Sequence, residues 1–213
     1  MERTFLYELL NKEIEEESRE DEEECQTAEI SVPEPTKLDV ERAVKKMKNG
    51  KAPGEDNITA EMLKYVGEKA IIEIYNMVLQ IWNSEVMPDD WKTGLIVPMY
   101  KKGEKMNRSN YRGITLLSVV YKVFSNILLQ KLSTYTQEII GDYQCGFRKQ
   151  RSTADQIFVV RQVMEKCYEY TSDICLLFVD FKQTFDSVIK SQLYLYMHKK
   201  GKPLKIIALV KMV

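Results

Sequence analysis

Apolar residues recur along most of this chain at the spacing of amphipathic helices. Val40, Ala43, Val44 and Met47 fall at i, i+3, i+4 and i+7, so they share one face of a helix. Continuous, β-branched apolar runs are fewer and predict strands. The predicted helices cover residues 36–50, 59–65, 71–82 with Pro88 as the stop, 117–132, 152–168 and a segment after 186, and the predicted strands cover 94–100 and 174–181.

Local signals predict where these elements begin and end. Thr36 and Asp39 stand at the spacing of a capping box, which predicts a helix start, and Gly50 predicts its end. Pro98 has no backbone N–H and therefore predicts an edge or a bulge in the first strand. The second strand, ICLLFVDF, is almost continuously apolar, which is typical of a strand covered on both faces.

The order of elements favours an α+β fold, mostly helical with a few short strands, because isolated strands lie among helices without βαβ alternation. Residues 1–36 carry 13 acids against 3 bases and contain Pro33 and Pro35, so they are predicted to form an acidic flexible leader. No stretch approaches the ~20 apolar residues of a membrane span. Trp82, Trp91 and Tyr100 are interpreted as core residues rather than base-stacking platforms.

Cysteine and histidine usage argues against a zinc site. The four cysteines are scattered without a CxxC pair, and His198 is the only histidine. The first residues also lack the pattern of a secretory signal. Together these features predict an intracellular, reducing compartment, with nucleus and cytoplasm both open.

The net charge of −1 conceals an uneven distribution. Residues 1–36 have a net charge of −10, whereas residues 37–213 have +9. Residues 92–151 alone hold 11 bases and 3 acids, a net charge of +8. Such a basic block is typical of a nucleic-acid contact surface. A solvated face that binds nothing is the alternative, and composition does not decide between them.

Two carboxylates stand out in FVDFKQTFD. Asp180 ends the second predicted strand, and Asp186 follows six residues later at the start of a helix. A carboxylate at the mouth of an apolar strand is costly to desolvate unless it binds a cation, and phosphoryl-transfer enzymes use such groups to hold two metal ions. The alternatives are a solvated strand end for Asp180 and a helix N-cap, the favoured interpretation, for Asp186.

Five blocks resemble, in order and spacing, the segments that lead into the palm of reverse transcriptases from non-LTR (LINE-type) retrotransposons. The resemblance runs from about residue 40 to residue 213. It implies polymerase-like fingers over residues 37–173 and the start of a palm over residues 174–213. The five blocks are GKAPGEDNITAEMLK (50–64), WKTGLIVPMYKKG (91–103), NYRGITLLSVVYKVF (110–124), QCGFRKQRSTADQI (144–157) and FVDFKQTFDSV (178–188).

The resemblance implies roles for the palm residues. Asp180 matches the first palm aspartate, which binds two catalytic Mg²⁺ ions together with the main-chain carbonyl of Phe181. Phe185 matches the aromatic residue beneath the sugar of the incoming nucleotide, where a bulky ring leaves no room for a 2′-hydroxyl. A core phenylalanine is the alternative for Phe185.

It also implies roles for basic residues. Arg112 matches the arginine that grips the triphosphate, and either Lys101 or Lys102 matches the fingers lysine. A guanidinium makes two-point contacts with phosphate oxygens, whereas Lys supplies a mobile point charge. The residues expected near the template backbone are Arg148, Lys149 and Arg151.

The chain departs from the family pattern in three places. Thr184 stands where Ala is usual, and Gly113 follows Arg112 where Pro is usual. The palm also needs a Tyr-x-Asp-Asp hairpin, and the only Asp-Asp pair here is Asp89-Asp90. The resemblance therefore implies a truncated RNA-directed DNA polymerase domain that is inactive alone.

The implied partners are an RNA template, a DNA primer and deoxynucleoside triphosphates, with no membrane and no determined oligomeric state. Two alternatives to an enzyme stay open. One is a non-catalytic nucleic-acid-binding remnant, and the other is an inert, poorly folded remnant.

Overall fold

The computed structural model of the chain describes residues 30–137, 139–181 and 188–213. These residues are mostly helical, with one two-stranded antiparallel sheet, so the α+β prediction is confirmed. No helix among them is long and apolar enough to cross a membrane. The elements are α1 (Lys37–Lys46), α2 (Ala60–Tyr65), α3 (Glu68–Ser84), β1 (Leu95–Tyr100), β2 (Tyr111–Leu116), α4 (Val119–Thr136), α5 (Thr153–Glu169), α6 (Lys190–Lys199) and α7 (Leu204–Met212), with 3₁₀ turns at Asp89–Trp91 and Arg108–Asn110.

The described residues fall into two compact units. The first unit runs to Thr134 and includes Ile189–Val213, and the second unit is Tyr135–Val188. The first unit holds α1 to α3, the β1–β2 sheet, α4 as far as Thr134 and the last two helices. The second unit holds α5 and the loops on either side of it.

Helix α1 begins as the sequence predicts. The Thr36 hydroxyl accepts a hydrogen bond from the Asp39 amide, and the Asp39 carboxylate accepts one from the Thr36 amide at 2.9 Å, which completes a capping box. The predicted end at Gly50 is wrong. The helix ends at Lys46, because Met47 adopts an extended backbone. Gly50 lies in a later bend and has φ +67°.

The core of the first unit is built from apolar residues of α1, α3, α4 and α7 and of the turn that joins α3 to the sheet. Val123 and Phe124 of α4 are fully buried. The Trp91 ring lies 6.0 Å from the Phe124 ring, and Trp82 on α3 is 1% exposed. Both tryptophans are therefore core residues, as predicted. Tyr100 was expected there too, but it is 41% exposed and lies at the end of β1.

Contacts between segments that are far apart in the sequence stabilise this unit. The Lys205 ammonium of α7 lies 2.8 Å from the Glu85 carboxylate at the end of α3. The Lys131 ammonium of α4 donates hydrogen bonds to the carbonyls of Pro33 and Glu34 at 2.9 and 3.1 Å. Pro35, the next residue, is fully buried. The chain that enters α1 is therefore fixed against α4.

Gly54 shows why the loop after α1 needs a glycine. A Cβ atom at Gly54 would lie 2.6 Å from the backbone nitrogen of Ser118 and 2.7 Å from the carbonyl carbon of Leu117. The loop therefore packs main chain against main chain just before α4. This close approach fixes the loop beside the end of β2.

The second unit buries much less apolar surface. Helix α5 begins with a capping box formed by Ser152 and Asp155, yet none of its residues is buried. The strand predicted at residues 174–181 is wrong, because this segment has no regular structure and Leu177 and Phe178 are 89% and 82% exposed. A strand needs a neighbour for its backbone hydrogen bonds, and the only ladder among the described residues joins β1 to β2.

Candidate nucleotide and nucleic-acid interface

The β1–β2 hairpin carries Arg112 and the two candidate lysines. The strands pair in continuous register from Leu95 opposite Leu116 to Tyr100 opposite Tyr111. Pro98 pairs with Gly113 in this ladder, and it is tolerated because each strand of a two-stranded sheet is an edge. The edge position predicted from Pro98 is confirmed, and the ladder contains no bulge.

The hairpin tip, defined here as residues 100–112, is held in shape by hydrogen bonds to its own main chain. The Tyr111 hydroxyl donates to the Lys105 carbonyl at 3.0 Å, and the Asn110 side-chain amide donates to the Glu104 carbonyl at 2.9 Å. The Tyr100 hydroxyl donates to the Gly103 carbonyl. These three hydrogen bonds give the tip a defined conformation, and each of them joins uncharged groups.

Two further features fix this conformation. The rings of Tyr100 and Tyr111 pack against each other with centroids 5.6 Å apart. Gly103 has φ +97°, and a Cβ atom there would lie 2.6 Å from the Asn110 side-chain nitrogen. A glycine is therefore required where the tip reverses direction.

The register places Arg112 and Lys101 on the same side of the hairpin. Arg112 pairs with Met99 across the ladder, and paired residues in an antiparallel sheet point to the same face. The Lys101 amide donates to the Asn110 carbonyl at 2.8 Å, which continues the ladder by one residue. Because side chains alternate along a strand, Lys101 shares the face of Met99 and Arg112. Lys102 lies one position later, in the bend.

The tip is basic and exposed. It contains three lysines and two arginines against one acid, Glu104, a net charge of +4. Lys101, Lys102, Lys105 and Arg112 are all exposed. None of the ion pairs between described residues involves these four side chains. Their charges are thus available to an anionic ligand such as a phosphate.

The predicted template-contacting residues lie in the second unit, in the loop before α5. One guanidinium nitrogen of Arg148 donates to the Gly141 carbonyl at 2.9 Å, so Arg148 braces its own loop. Arg151 forms an exposed ion pair with Asp142 at 2.8 Å, a type of pair that contributes little to stability. Lys149 is exposed. The Arg148 guanidinium therefore stabilises its own loop, in addition to the template contact predicted for it.

The candidate site residues of the predicted palm also fall within the range of the second unit. Asp180 is exposed and follows the irregular segment 172–179, and Phe181 is 70% exposed. Phe185 and Asp186 lie outside the described residues. In the described part of the chain, no three His, Cys, Asp or Glu side chains gather into a group that could hold a metal ion. Of the two-metal site that the resemblance implies, the described residues contain Asp180 and the main chain of Phe181.

A separate cleft in the first unit is acidic. It has a volume of about 640 Å³, and its lining includes Glu55, Asp56, Asp89 and Asp90. Lys92 pairs with Asp89 at 2.6 Å, and this hydrogen bond holds the pKa of the Asp89 carboxyl below its ordinary value. Four carboxylates repel a nucleotide's phosphates, so this cleft does not suit an anionic substrate.

Residues 100–210 match the family described as reverse transcriptase (RNA-dependent DNA polymerase). This range is more than half of the 213 residues and contains the hairpin tip, Arg148 to Arg151 and Asp180. The chain belongs to the reverse transcriptase family. Enzymes of this family generally depend on divalent metal ions.

This reverse transcriptase chain is similar to several proteins encoded by mobile elements. The probable RNA-directed DNA polymerase from transposon BS of Drosophila melanogaster is 29% identical over 156 residues, covering 70% of this chain and 17% of that protein. The RNA-directed DNA polymerase from mobile element jockey of Drosophila melanogaster is 28% identical, covering 81% of this chain and 19% of that protein. The retrovirus-related Pol polyprotein from type-1 retrotransposable element R1 of Bradysia coprophila is 27% identical, covering 75% of this chain and 16% of that protein.

The chain therefore spans less than a fifth of the length of these relatives. The resemblance drawn from the five sequence blocks is confirmed at the level of the family. The names of the relatives agree with a retrotransposon reverse transcriptase domain of which this chain holds a part.

Sequence reasoning named the charged candidate residues of this reverse transcriptase chain but missed the contacts that position them. Strand β2 was not predicted, because YRGITL contains Gly113 and lacks a clear apolar alternation. The brace formed by Tyr100 and Tyr111 was missed as well. The available signal was the symmetry of the two tyrosines, which end one strand and begin the next around a polar loop.

Proposed function

We propose that this chain forms the fingers and the start of the palm of a non-LTR retrotransposon reverse transcriptase, and that the hairpin tip binds the phosphates of a nucleotide or of nucleic acid. The observation that carries the proposal is the basic tip itself. Its main chain is braced by hydrogen bonds, and Lys101 and Arg112 project from one face. A braced loop loses little conformational entropy when it binds, which favours affinity.

In this proposal Arg112 makes two-point contacts with phosphate oxygens, and Lys101 adds a point charge beside it. The shared face favours Lys101 over Lys102 as that lysine. Arg148, Lys149 and Arg151 contact the template backbone. Asp180 and the main-chain carbonyl of Phe181 hold divalent metal ions, and Phe185 excludes the 2′-hydroxyl. The whole protein then extends a DNA primer on an RNA template with deoxynucleoside triphosphates.

A binding experiment tests the role of the tip. A fluorescent RNA–DNA hybrid is titrated with the chain, and Arg112→Gln and Lys101→Gln are compared with Arg42→Gln and Lys46→Gln. The two control residues are exposed on α1 and remove the same charges. Each tip variant is expected to weaken binding and to lower the slope of log K against log salt by about 0.7–0.9, the effect of one lost phosphate contact.

Equal effects of the tip and α1 variants would show that only net charge matters, and the tip would lose its assigned role. The comparison of Lys101→Gln with Lys102→Gln separates the two lysines. A larger loss of affinity is expected for Lys101→Gln, because Lys101 shares the Arg112 face.

The second candidate function is nucleic-acid binding without DNA synthesis by residues 1–213 alone. The observation in its favour is that the single Asp-Asp pair, Asp89-Asp90, lies in a 3₁₀ turn where Lys92 pairs with Asp89, and not in a strand hairpin. The test is primer extension on an RNA template with Mg²⁺. We expect binding without extension, and an extended primer would show that these residues polymerise on their own.

The role of Phe185 is tested in a polymerase in which extension is measurable. Phe185→Ala is expected to allow incorporation of ribonucleotides, because a smaller side chain leaves room for the 2′-hydroxyl. Unchanged selectivity between the two sugars would show that Phe185 is only a packing residue.

A further inference from the structure

The basic hairpin tip has an oppositely charged counterpart within the same chain. Between Glu13 and Glu24 there are nine carboxylates and one arginine, a net charge of −8. The hairpin tip has a net charge of +4 and is exposed. Residues 13–24, called here the acidic segment, thus complement the tip in charge.

The charge per unit length of an extended acidic run resembles that of a nucleic-acid strand. Glu20 to Glu24 are five acids in succession. An extended chain advances about 3.3–3.6 Å per residue, and one strand of a DNA duplex carries a charge about every 3.4 Å. A ligand site that attracts a phosphate backbone through lysine and arginine will therefore also attract this segment.

The acidic segment can reach the tip. Its nearest anchor is Pro33, whose carbonyl accepts a hydrogen bond from Lys131 on α4, in the same unit as the hairpin. Pro33 lies nine positions after Glu24, and an extended chain of this length spans about 30 Å. A compact domain of ~130 residues has a radius of gyration of only about 14 Å.

The covalent connection also raises the local concentration of the acidic segment. A segment tethered by a short linker is present at about millimolar effective concentration. Lys101, Lys102, Lys105 and Arg112 have no ion-pair partner among the described residues. A docked segment would therefore displace no existing salt bridge from these side chains.

We propose that the acidic segment docks on the hairpin tip and competes there with nucleic acid. The docking follows from the charges and the tether alone. The competition additionally rests on the proposed function of the tip. At low ionic strength the segment lowers the affinity of the chain for nucleic acid, and salt weakens both interactions.

The docking is tested on residues 1–213 without nucleic acid. A carbodiimide joins carboxylates to amines that are in direct contact, and mass spectrometry identifies the linked peptides. Cross-links from the acidic segment to Lys101, Lys102 and Lys105 are expected at low salt. They should disappear at 1 M salt, where the Debye length is about 3 Å. The matched control lysines are Lys45 and Lys46, which are exposed on α1.

Cross-links to the α1 lysines in equal yield, or no cross-links from the acidic segment, would overturn the docking. This result does not depend on whether the chain binds nucleic acid. It therefore separates a failure of the docking from a failure of the proposed function.

The competition is tested with two variants that each remove four negative charges. One variant changes Glu20, Glu22 and Glu23 to Gln and Asp21 to Asn. The control variant changes exposed acids outside the acidic segment, namely Glu55→Gln, Glu73→Gln, Asp90→Asn and Glu165→Gln. Both are titrated with a fluorescent single-stranded RNA of mixed sequence.

At about 50 mM salt, where phosphate contacts are strong, the acidic-segment variant is expected to bind about tenfold more tightly than the unmodified chain. The control variant is expected to change affinity by less than about twofold. Equal gains for both variants would reduce the effect to net charge and overturn the competition. If no variant binds RNA, the proposed function of the tip fails, and the cross-links alone decide the docking.

Discussion

Helices α3 and α5 are both 17 residues long, but they are used in different ways. Helix α3 buries Ile74, Val78, Ile81 and Trp82 in the core of the first unit. Helix α5 buries none of its residues. Its Ile157 and Phe158 side chains are 70% and 62% exposed.

The difference shows that a helix and its burial have separate causes. Both helices have apolar residues at helical spacing, and α5 even has the better start, because Ser152 and Asp155 form a capping box whereas Gly67 offers α3 no side-chain cap. The local signals fix the helix. Burial also requires another surface that packs on the helix. Residues of α3 are buried in this way, whereas none of α5 is.

Truncation of one large apolar residue in each helix gives the strongest test of this comparison. Trp82→Ala is expected to lower the free energy of unfolding by about 3–5 kcal/mol, because it leaves a cavity in the core. Phe158→Ala should change it by less than about 0.5 kcal/mol, as for an exposed side chain. Urea unfolding followed by circular dichroism measures both. A loss of several kcal/mol for Phe158→Ala would mean that α5 is packed in solution.

Two glycine substitutions extend the comparison to loops. Gly54→Ala should cost about 1–3 kcal/mol, since the new Cβ atom would lie 2.6 Å from the Ser118 nitrogen and the main chain must shift. Gly146→Ala in the second unit meets no atom within 4 Å and should be neutral or slightly stabilising. Thermal unfolding of both variants distinguishes them. Similar losses would contradict the close packing assigned to the first loop alone.

The two capping boxes allow a smaller and more local test. Thr36→Ala should destabilise the first unit by about 1 kcal/mol, because α1 loses its N-cap and packs on its neighbours. Ser152→Ala should fray α5 and leave the main unfolding transition unchanged. Hydrogen exchange of the amides in each helix, measured beside the unfolding transition, reports both effects. A shifted main transition for Ser152→Ala would show that α5 unfolds together with the core.

The smallest expected change in the free energy of unfolding comes from protonation of Asp39 at low pH. Burial acts to raise the pKa of Asp39, but hydrogen bonds from the Thr36 backbone and hydroxyl outweigh it and hold the pKa below its ordinary 3.8. Because the folded-state pKa is lower than the unfolded one, the carboxylate stabilises the fold above about pH 4, and this contribution is lost as pH falls through the folded value.

The free energy of unfolding at pH 7 and pH 3 tests this expectation. Asp39→Asn should be less stable than the unmodified chain at pH 7, and the gap should narrow at pH 3. Asp155→Asn, in the other capping box, should leave the main transition unchanged at both values. A gap for Asp39→Asn that is equally large at pH 3 would show that the charge of the carboxylate is not what matters.

The helices could be predicted because their signals are local. Thr36 marked the start of α1, and the apolar repeat from Ile71 to Trp82 marked α3. The error at residues 174–181 has the opposite cause. The run ICLLFV has the composition of a strand, but a strand forms only with a neighbour, and composition does not report whether that neighbour is present.

The candidate site was predictable to a similar extent. Arg112 and the lysine pair followed from a motif, and the register of the hairpin then placed Lys101 on the Arg112 face. The brace of the tip could not be predicted, because its acceptors are main-chain carbonyls, which every residue carries. The sequence shows the side-chain donors, such as Tyr111. It does not show which main-chain carbonyl each donor binds.

The way in which the hairpin tip is held together affects how a salt titration of its binding is interpreted. Three of its hydrogen bonds join neutral hydroxyl and amide groups to carbonyls, so added electrolyte screens the positive charges of the tip without weakening these three bonds. A loop held by ion pairs would lose its shape and its attraction for anions over the same range of ionic strength. Because these three bonds persist at high ionic strength, the change in affinity with salt reports the ions released on binding.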